Sequence, residues 1–249
     1  MGRRCGAARV HLLSYDRPGY GGSTAQPGRT VADCAHDVRV IARAFGIQRL
    51  AVWGISGGGP HALACAALLP DLVTAVASLC SLAPYGGEGL DCFTGMGQDN
   101  ADDIQLLLDD PSAAREKCRL DRQEMLAATP EGIHQGLASL LSPTDADALT
   151  LEVATELVAA MKSGLAPGDE GWWEDNVAET GPWGFNLADI QTPVQLWHGA
   201  HDRFVPFQHG QWLAAHIPGV DAHLSDIDGH ITLSVNRVPA VHAWLLQHP

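Results

Sequence analysis

Short apolar runs of strand length alternate with stretches of helical periodicity in the first third of the chain. The apolar runs that predict strands cover residues 10–15, 50–55 and 75–82. Between the first two runs, a helix is predicted to begin near Thr30 and Asp33, which resemble an N-cap and its box partner, and to end at Gly46. Nearly continuous apolar strands separated by helices are typical of a parallel sheet covered on both faces.

The same alternation returns near the end of the chain. Further predicted elements are strands at 193–199 and 222–227, a helix at 207–216 and a last helix that carries Val241, Trp244 and Leu245. Between 84 and 186 only helical signals occur, among them Thr129-Pro130-Glu131 and Ser142-Pro143-Thr144-Asp145, each with an N-cap, a proline and an acid in order. We therefore predict one α/β domain, formed by residues 1–83 and 187–249 and interrupted by an all-helical lid at 84–186.

Composition restricts the classes of function that fit. Of the 249 residues 46% are hydrophobic and 18% charged, which is ordinary for a globular enzyme, and the net charge of −14 argues against nucleic-acid binding. No apolar stretch is long enough to cross a membrane, and the six cysteines lack zinc-site spacing. We expect no secretory signal, because no apolar region follows Arg3 and Arg4. We predict a cytoplasmic protein whose partner is a small-molecule substrate, not nucleic acid or a membrane, without a cofactor or metal. Its oligomeric state is left open.

A candidate nucleophile follows the second predicted strand. Gly54-Ile55-Ser56-Gly57-Gly58 has the pattern G-x-S-x-G, which places the serine hydroxyl on a sharp turn between strand and helix. We expect Gly54 and Gly58 to be glycines because the turn brings two backbones too close for a Cβ. The pattern alone also occurs by chance in glycine-rich turns. The strand before it, the helix after it and two distant partners favour Ser56 as a nucleophile.

A serine nucleophile needs a base and an acid that orients the base. Asp202 follows one predicted strand and His230 follows the next, and the carboxyl ends of parallel strands meet in one crevice. Two alternatives carry less weight. His198 and His201 could suggest a metal, but a third ligand at plausible spacing is lacking. Asp228 could replace Asp202 as the acid, but its place two residues before His230 favours a loop-shaping role.

Together these motifs resemble the α/β-hydrolase family in its helical-lid branch, over nearly the whole chain. The motifs are Asp16-Arg17-Pro18-Gly19-Tyr20-Gly21-Gly22-Ser23, the turn at Ser56, His198-Gly199-Ala200-His201-Asp202 and Asp228-Gly229-His230. The resemblance implies that Ser56 attacks an acyl carbonyl, that His230 shuttles the proton and that Asp202 holds the imidazolium. It also implies that the N–H of Gly57 donates to the oxyanion.

Two hypotheses of function follow from the resemblance. The first is a serine hydrolase of the carboxylic-ester type, acting on a small, fairly apolar substrate under the lid; proline iminopeptidases and C–C bond hydrolases share the architecture and stay open. The second is a catalytically weak or inactive scaffold that binds a small ligand. Trp172, Trp173 and Trp183, near the end of the lid, fit substrate contact and the lid's own core equally well.

The beginning of the chain departs from the family pattern. Members usually have a further strand before the one predicted at 10–15, and the loop after that strand carries a His-Gly pair that supplies a second oxyanion N–H. Such a segment is absent before Val10, which predicts an N-terminally truncated fold with an exposed apolar sheet edge and an oxyanion hole formed mainly by Gly57. We expect poor solubility or feeble activity of this form. A reading frame that continues upstream of Met1, or another segment, would supply the missing part.

Overall fold

The structure, a computed structural model, describes residues 10–248. In this part of the chain, four parallel strands form one sheet in the order β1-β2-β3-β4. They are β1 (Leu50–Ile55), β2 (Val73–Leu79), β3 (Val194–Gly199) and β4 (Asp221–Ser225). Because the strands are parallel, the segments that follow them lie at the same edge of the sheet.

Helices cover both faces of this sheet. The helices of the described residues are α1 (Cys34–Ala44), α2 (Gly58–Leu68), α3 (Gln98–Asp109), α4 (Pro111–Ala127), α5 (Ile133–Gly136), α6 (Pro143–Ala148), α7 (Leu151–Leu165), α8 (Glu170–Thr180), α9 (Phe207–His216), α10 (His230–Asn236) and α11 (Val238–Leu245). One face of the sheet, with Val76 and Leu196, packs in a core that includes residues of α1, α2 and α9. The other face, with Ala77 and Leu79, packs against α10 and α11. The predicted fold class is confirmed.

The start and end of α1 follow from short-range chemistry. Asp33 accepts the Thr30 backbone N–H at 2.7 Å, and a 3₁₀ turn over Val31–Asp33 leads into the helix. Gly46 then takes φ +67°, a left-handed conformation that side chains other than glycine disfavour. These are the residues from which the sequence predicts where the helix begins and ends.

Two strand predictions are wrong. Residues 10–15 form no strand, and the side chains of Val10, Leu12 and Leu13 are exposed. A parallel strand needs a neighbour to bond with, and β1, at the edge of the described sheet, pairs only with β2. The strand predicted at 75–82 runs instead from 73 to 79, because Cys80 turns into the left-handed region at φ +49°.

The segment between β2 and β3 is helical, and we call residues 84–186 the helical insert. It contains α3 to α8 and, throughout its described length, no strand. The helix start predicted at Ser142 is followed by two helices, because Thr150 accepts the N–H of Val153 and begins α7. Across residues 10–248, no helix has the length and apolar character needed to span a membrane.

Candidate active site

Ser56 lies on a strained turn between β1 and α2. Its φ of +54° is unusual for a residue with a side chain. A Cβ on Gly54 would lie 2.1 Å from the carbonyl oxygen of Gly58, so the turn closes only with glycine at position 54. Gly58 itself has open space around its Cα, and the expectation that it too avoids a clash is wrong. Gly59 is confined instead, since its Cβ would meet Ser81 Oγ at 2.3 Å.

Asp202 and His230 are in direct contact. The Nδ1 of His230 lies 2.8 Å from Oδ2 of Asp202. The other carboxylate oxygen accepts the N–H groups of Phe204 and Val205 at 2.9 and 2.8 Å. The Asp202 side chain is fully buried, so these bonds hold it in one orientation. Phe204 stacks on the His230 ring with centroids 4.6 Å apart. The His230 ring is therefore held at its Nδ1 edge by Asp202 and on one face by Phe204.

The environment favours a charged His230. Burial disfavours the imidazolium, but the Asp202 carboxylate, which attracts it and bonds to it, and the charge of Asp145 outweigh burial and raise the pKa of His230. Cys80 also lies close, with its Sγ within 4.8 Å of a carboxylate oxygen of Asp202 and of a ring nitrogen of His230. Burial and Asp202 raise the pKa of the Cys80 thiol well above its ordinary value. Because a thiolate is the metal-binding form, this group is poorly suited to a metal.

Ser56 faces a cavity of about 270 Å³ between the sheet edge and the helical insert. Within the described residues, no hydrogen bond joins its Oγ to His230 or to another side chain. The structure thus brings the acid and the histidine together, and places the serine on the cavity wall beside Gly57. Trp172 and Trp173 also line this cavity.

Trp183 is not among the residues that line the cavity, and of its two interpretations the structure agrees with the one that places it in a core. It is 4% exposed, stacks on Phe185 at 5.8 Å and donates its Nε1–H to the Glu179 carbonyl oxygen. It packs in the main core with Val31 and Leu63. A glycine- and proline-rich segment connects α8 to the sheet here, and the indole of Trp183 packs beside this segment.

Charged groups that the sequence did not single out lie around the cavity. Lys117 Nζ is held between Asp103 and Asp121, at 2.8 and 2.6 Å. A Cβ on Gly57 would meet Oε1 of Glu179 at 2.3 Å, so this carboxyl lies directly over Gly57. Desolvation and the neighbouring Asp175 raise the pKa of Glu179 to about 8, which favours the neutral form of its carboxyl at pH 7.

The glycine-rich motif at 16–23 positions helix α8. Arg17 donates two hydrogen bonds to the Asp175 carboxylate, and Arg29 donates another at 2.5 Å. The Cα of Gly19 comes so near the α8 backbone that a Cβ there would lie 2.6 Å from Gly171. Asp175 is buried, and the arginine charges keep its pKa below the ordinary value despite burial. No local pattern in the sequence predicts these contacts between distant segments.

Two of the three alternative candidates, His198 and Asp228, have structural roles. His198 is fully buried, its Nε2 lies 2.9 Å from the Val205 carbonyl oxygen, and burial lowers its pKa. His201 is exposed. Asp228 accepts from Ser225 Oγ at 2.7 Å and from the Arg237 guanidinium, which shapes the loop before His230.

Comparisons to known proteins agree with the fold. A solved esterase from Exiguobacterium antarcticum is 17% identical over 92% of this chain and 78% of its own, with a TM-score of 0.59. The enol-lactonase from Burkholderia xenovorans LB400 is also 17% identical, over 92% of this chain and 77% of its own, with a TM-score of 0.56. No curated protein matches the chain. The sequence model of the alpha/beta hydrolase fold matches residues 3–236, and the chain therefore belongs to the α/β-hydrolase family.

Proposed function

We propose that the chain is a serine hydrolase that cleaves an ester or a related acyl bond of a small, fairly apolar substrate through Ser56, His230 and Asp202. The observation that carries this proposal is the strained backbone of Ser56 on the cavity wall. A residue with a side chain held at φ +54° costs about 1–3 kcal/mol, and such strain is retained mainly at functional sites. The turn puts Ser56 on the wall of the cavity, beside Gly57.

The proposed first step forms an acyl-enzyme. Ser56 Oγ attacks the carbonyl carbon while Nε2 of His230 takes the hydroxyl proton, and the carbonyl electrons move to the oxygen. The Gly57 N–H donates to this oxyanion. When the intermediate collapses, the bond to the leaving alcohol breaks and the alcohol takes the proton from His230. In the second step water attacks the acyl-enzyme in the same way, the bond to Ser56 Oγ breaks, and a carboxylic acid is released.

Asp202 supports both steps through the imidazole ring. Its contact with Nδ1 at 2.8 Å fixes the tautomer that leaves Nε2 able to accept a proton. Its negative charge stabilises the imidazolium that forms in each transition state. The raised pKa of His230 agrees with this role.

The cavity indicates the substrate class. Its volume of about 270 Å³ lies at the small end of ligand sites, which favours short acyl and alcohol groups. Trp172, Trp173 and Phe204 supply an aromatic lining. Near Lys117, two carboxylates face one ammonium, so anionic substrates are disfavoured. An esterase and an enol-lactonase share the fold, which makes open-chain and cyclic esters the first compounds to test.

Hydrolysis of p-nitrophenyl acetate and butyrate tests the proposal, with Ser56→Ala as the inactive variant. We expect Ser56→Ala to lower kcat at least about 10³-fold, because serine nucleophiles contribute more than this. Ser112→Ala, at an exposed position on α4, is the matched control and is expected to keep wild-type activity. A fluorophosphonate should also form an Oγ–P bond at Ser56 with loss of fluoride.

The alternative is a scaffold that binds a small ligand without turnover. It is favoured by the missing hydrogen bond between Ser56 and His230 in the described part of the chain. Absence of both turnover and the fluorophosphonate adduct in the wild type would support it and reject the hydrolase. Turnover that persists in Ser56→Ala would instead reject Ser56 as the nucleophile.

A further inference from the structure

Asp145 belongs to the helical insert but its side chain contacts the segment that carries His230. Its Oδ2 accepts the backbone N–H of His230 at 2.9 Å. Its Oδ1 accepts the N–H groups of Ile231 and Thr232 at 2.8 and 3.0 Å, and the Thr232 hydroxyl at 3.2 Å. The residue is fully buried. One carboxylate on α6 therefore satisfies the first three N–H groups of α10, which lies 85 residues later in the chain.

This contact explains the glycine that precedes His230. A Cβ on Gly229 would lie 2.3 to 2.6 Å from the carboxylate atoms of Asp145. The φ of Gly229 is −109°, which any residue can adopt, so glycine is needed here for space and not for backbone freedom. The Asp228-Gly229-His230 motif is thus shaped by a residue of the insert.

We propose that Asp145 is a positioning residue for the proposed catalytic base, an inference that rests on the function proposed above. Asp202 fixes the His230 ring through Nδ1, and Asp145 fixes the backbone from which that ring projects. The α6 part of the insert is consequently tied to the catalytic histidine. A displacement of α6 would move His230 with it, so access for substrate has to come from another part of the insert.

The charge of Asp145 also acts on the His230 ring. The ionisable groups that face His230 are Asp202 after β3, Cys80 after β2, His198 on β3 and Asp145 on α6. Of these, only the two aspartates raise the pKa of His230. The loss of one carboxylate charge should therefore lower that pKa, an effect that loss of packing alone would not produce.

Asp145→Asn tests the proposal, with Asp147→Asn as its control. Asp147 lies on the same helix but is exposed, so the control makes the same change of charge away from α10. We expect Asp145→Asn to lower kcat about tenfold to a hundredfold, since small displacements of a catalytic group cost this much. The acid limb of the pH profile should move to lower pH by about half a unit or more. Asp147→Asn should match the wild type.

Nitrogen NMR of the histidine rings gives a readout that does not need turnover. The His230 signal is assigned from its loss in His230→Gln, and its pKa is measured in the wild type and both Asn variants. A lowered pKa in Asp145→Asn but not in Asp147→Asn supports the proposal even if no ester is hydrolysed. An unchanged pKa in Asp145→Asn, or equal shifts in both variants, would overturn it.

A second pair of variants tests the contact between Asp145 and Gly229 even if Asp145→Asn does not fold. Gly229→Ala should be harmful in the wild type because its methyl group meets the Asp145 carboxylate. In an Asp145→Ala background the space is open, so the same substitution should have a much smaller effect on the His230 pKa and on thermal stability. Equal effects of Gly229→Ala in the two backgrounds would contradict the contact on which the proposal depends.

Discussion

Two of the contacts between the helical insert and the core contain a buried aspartate, and we call them the Asp175 junction and the Asp145 junction. On α8, Asp175 faces the guanidinium groups of Arg17 and Arg29, which come from the segment before α1. On α6, Asp145 accepts backbone N–H groups and one hydroxyl at the start of α10. The first aspartate is neutralised by full charges, whereas the second is satisfied by the dipoles at one helix end.

This difference gives the two junctions different tasks. Removal of a carboxylate from between two cations leaves buried charges without a partner, so Asp175 chiefly contributes stability. Asp145 acts as an N-cap that another helix supplies, and the loss of a cap costs less. Its removal would change the position of the His230 backbone instead. The Asp175 junction holds the insert in place, and the Asp145 junction sets the geometry of the site.

The largest expected effect is on stability at the Asp175 junction. Asp175→Ala should lower the free energy of unfolding by about 3–5 kcal/mol, because Arg17 and Arg29 lose their partner. Asp145→Ala should lower it by about 0.5–2 kcal/mol, the usual cost of losing a cap. Urea unfolding followed by circular dichroism measures both. Glu152→Ala, exposed on α7, is the control and should change the value by less than about 0.5 kcal/mol. A larger cost for Asp145→Ala would contradict the comparison.

The two junctions should also respond to pH with opposite signs. Burial and the Arg17 charge lower the pKa of His61, which lies 3.8 Å from Asp175, to about 4. Below about pH 6.5 the unfolded chain binds a proton here that the folded chain does not, so stability falls by up to about 3 kcal/mol toward pH 4. At the other junction the pKa of His230 is raised. Its stabilising contribution is complete below the unfolded pKa and is lost as the pH rises through the folded pKa.

Unfolding free energies measured from pH 4.5 to pH 9 check these signs. His61→Gln should flatten the loss of stability below pH 6.5, although His209, whose pKa burial also lowers to about 4, keeps part of the slope. His230→Gln should remove the loss on the alkaline side. An unchanged acid slope in His61→Gln would show that this histidine is not the group that titrates.

Sequence alone predicted the parts of the site that lie directly after strands. Ser56, Asp202 and His230 each follow a predicted strand in a turn, and parallel strands end at one edge of a sheet. Chain order was therefore enough to predict that Asp202 and His230 lie together. The glycine at position 54 was predictable for the same reason, since its close contact is only four residues away.

Features that depend on distant segments were not predictable. Asp145 has the pattern of a first-turn acid in its own helix, and nothing near it in sequence indicates that its side chain reaches α10. Asp175 lies 158 residues from Arg17. The strand predicted at 10–15 is absent for a related reason. Apolar composition indicates that a segment can be buried in a sheet, but it does not show which neighbouring strand its backbone would bond to.

Glu179 connects the Asp175 junction to the cavity. It follows Asp175 by one turn of α8, and its carboxyl lies over Gly57. Arg17 and Arg29 also act on it and favour its charged form, but desolvation and Asp175 prevail and raise its pKa to about 8. Arg17 and Arg29 are thus paired with Asp175, and the neutral form of Glu179 is favoured beside the proposed oxyanion site.

Ionisation of Glu179 is the basis of the smallest predicted effect. Above pH 8 its negative charge would oppose the oxyanion that the Gly57 N–H stabilises, so kcat/KM should fall about tenfold from its plateau by pH 9. Glu179→Gln removes the ionisable group while keeping a similar shape, and it should retain its plateau value through pH 9. Glu170→Gln, on the exposed side of the same helix, should keep the wild-type profile. If Glu179→Gln loses activity at the same pH as the wild type, the alkaline limb belongs to another group, and the charge over Gly57 does not act on the reaction.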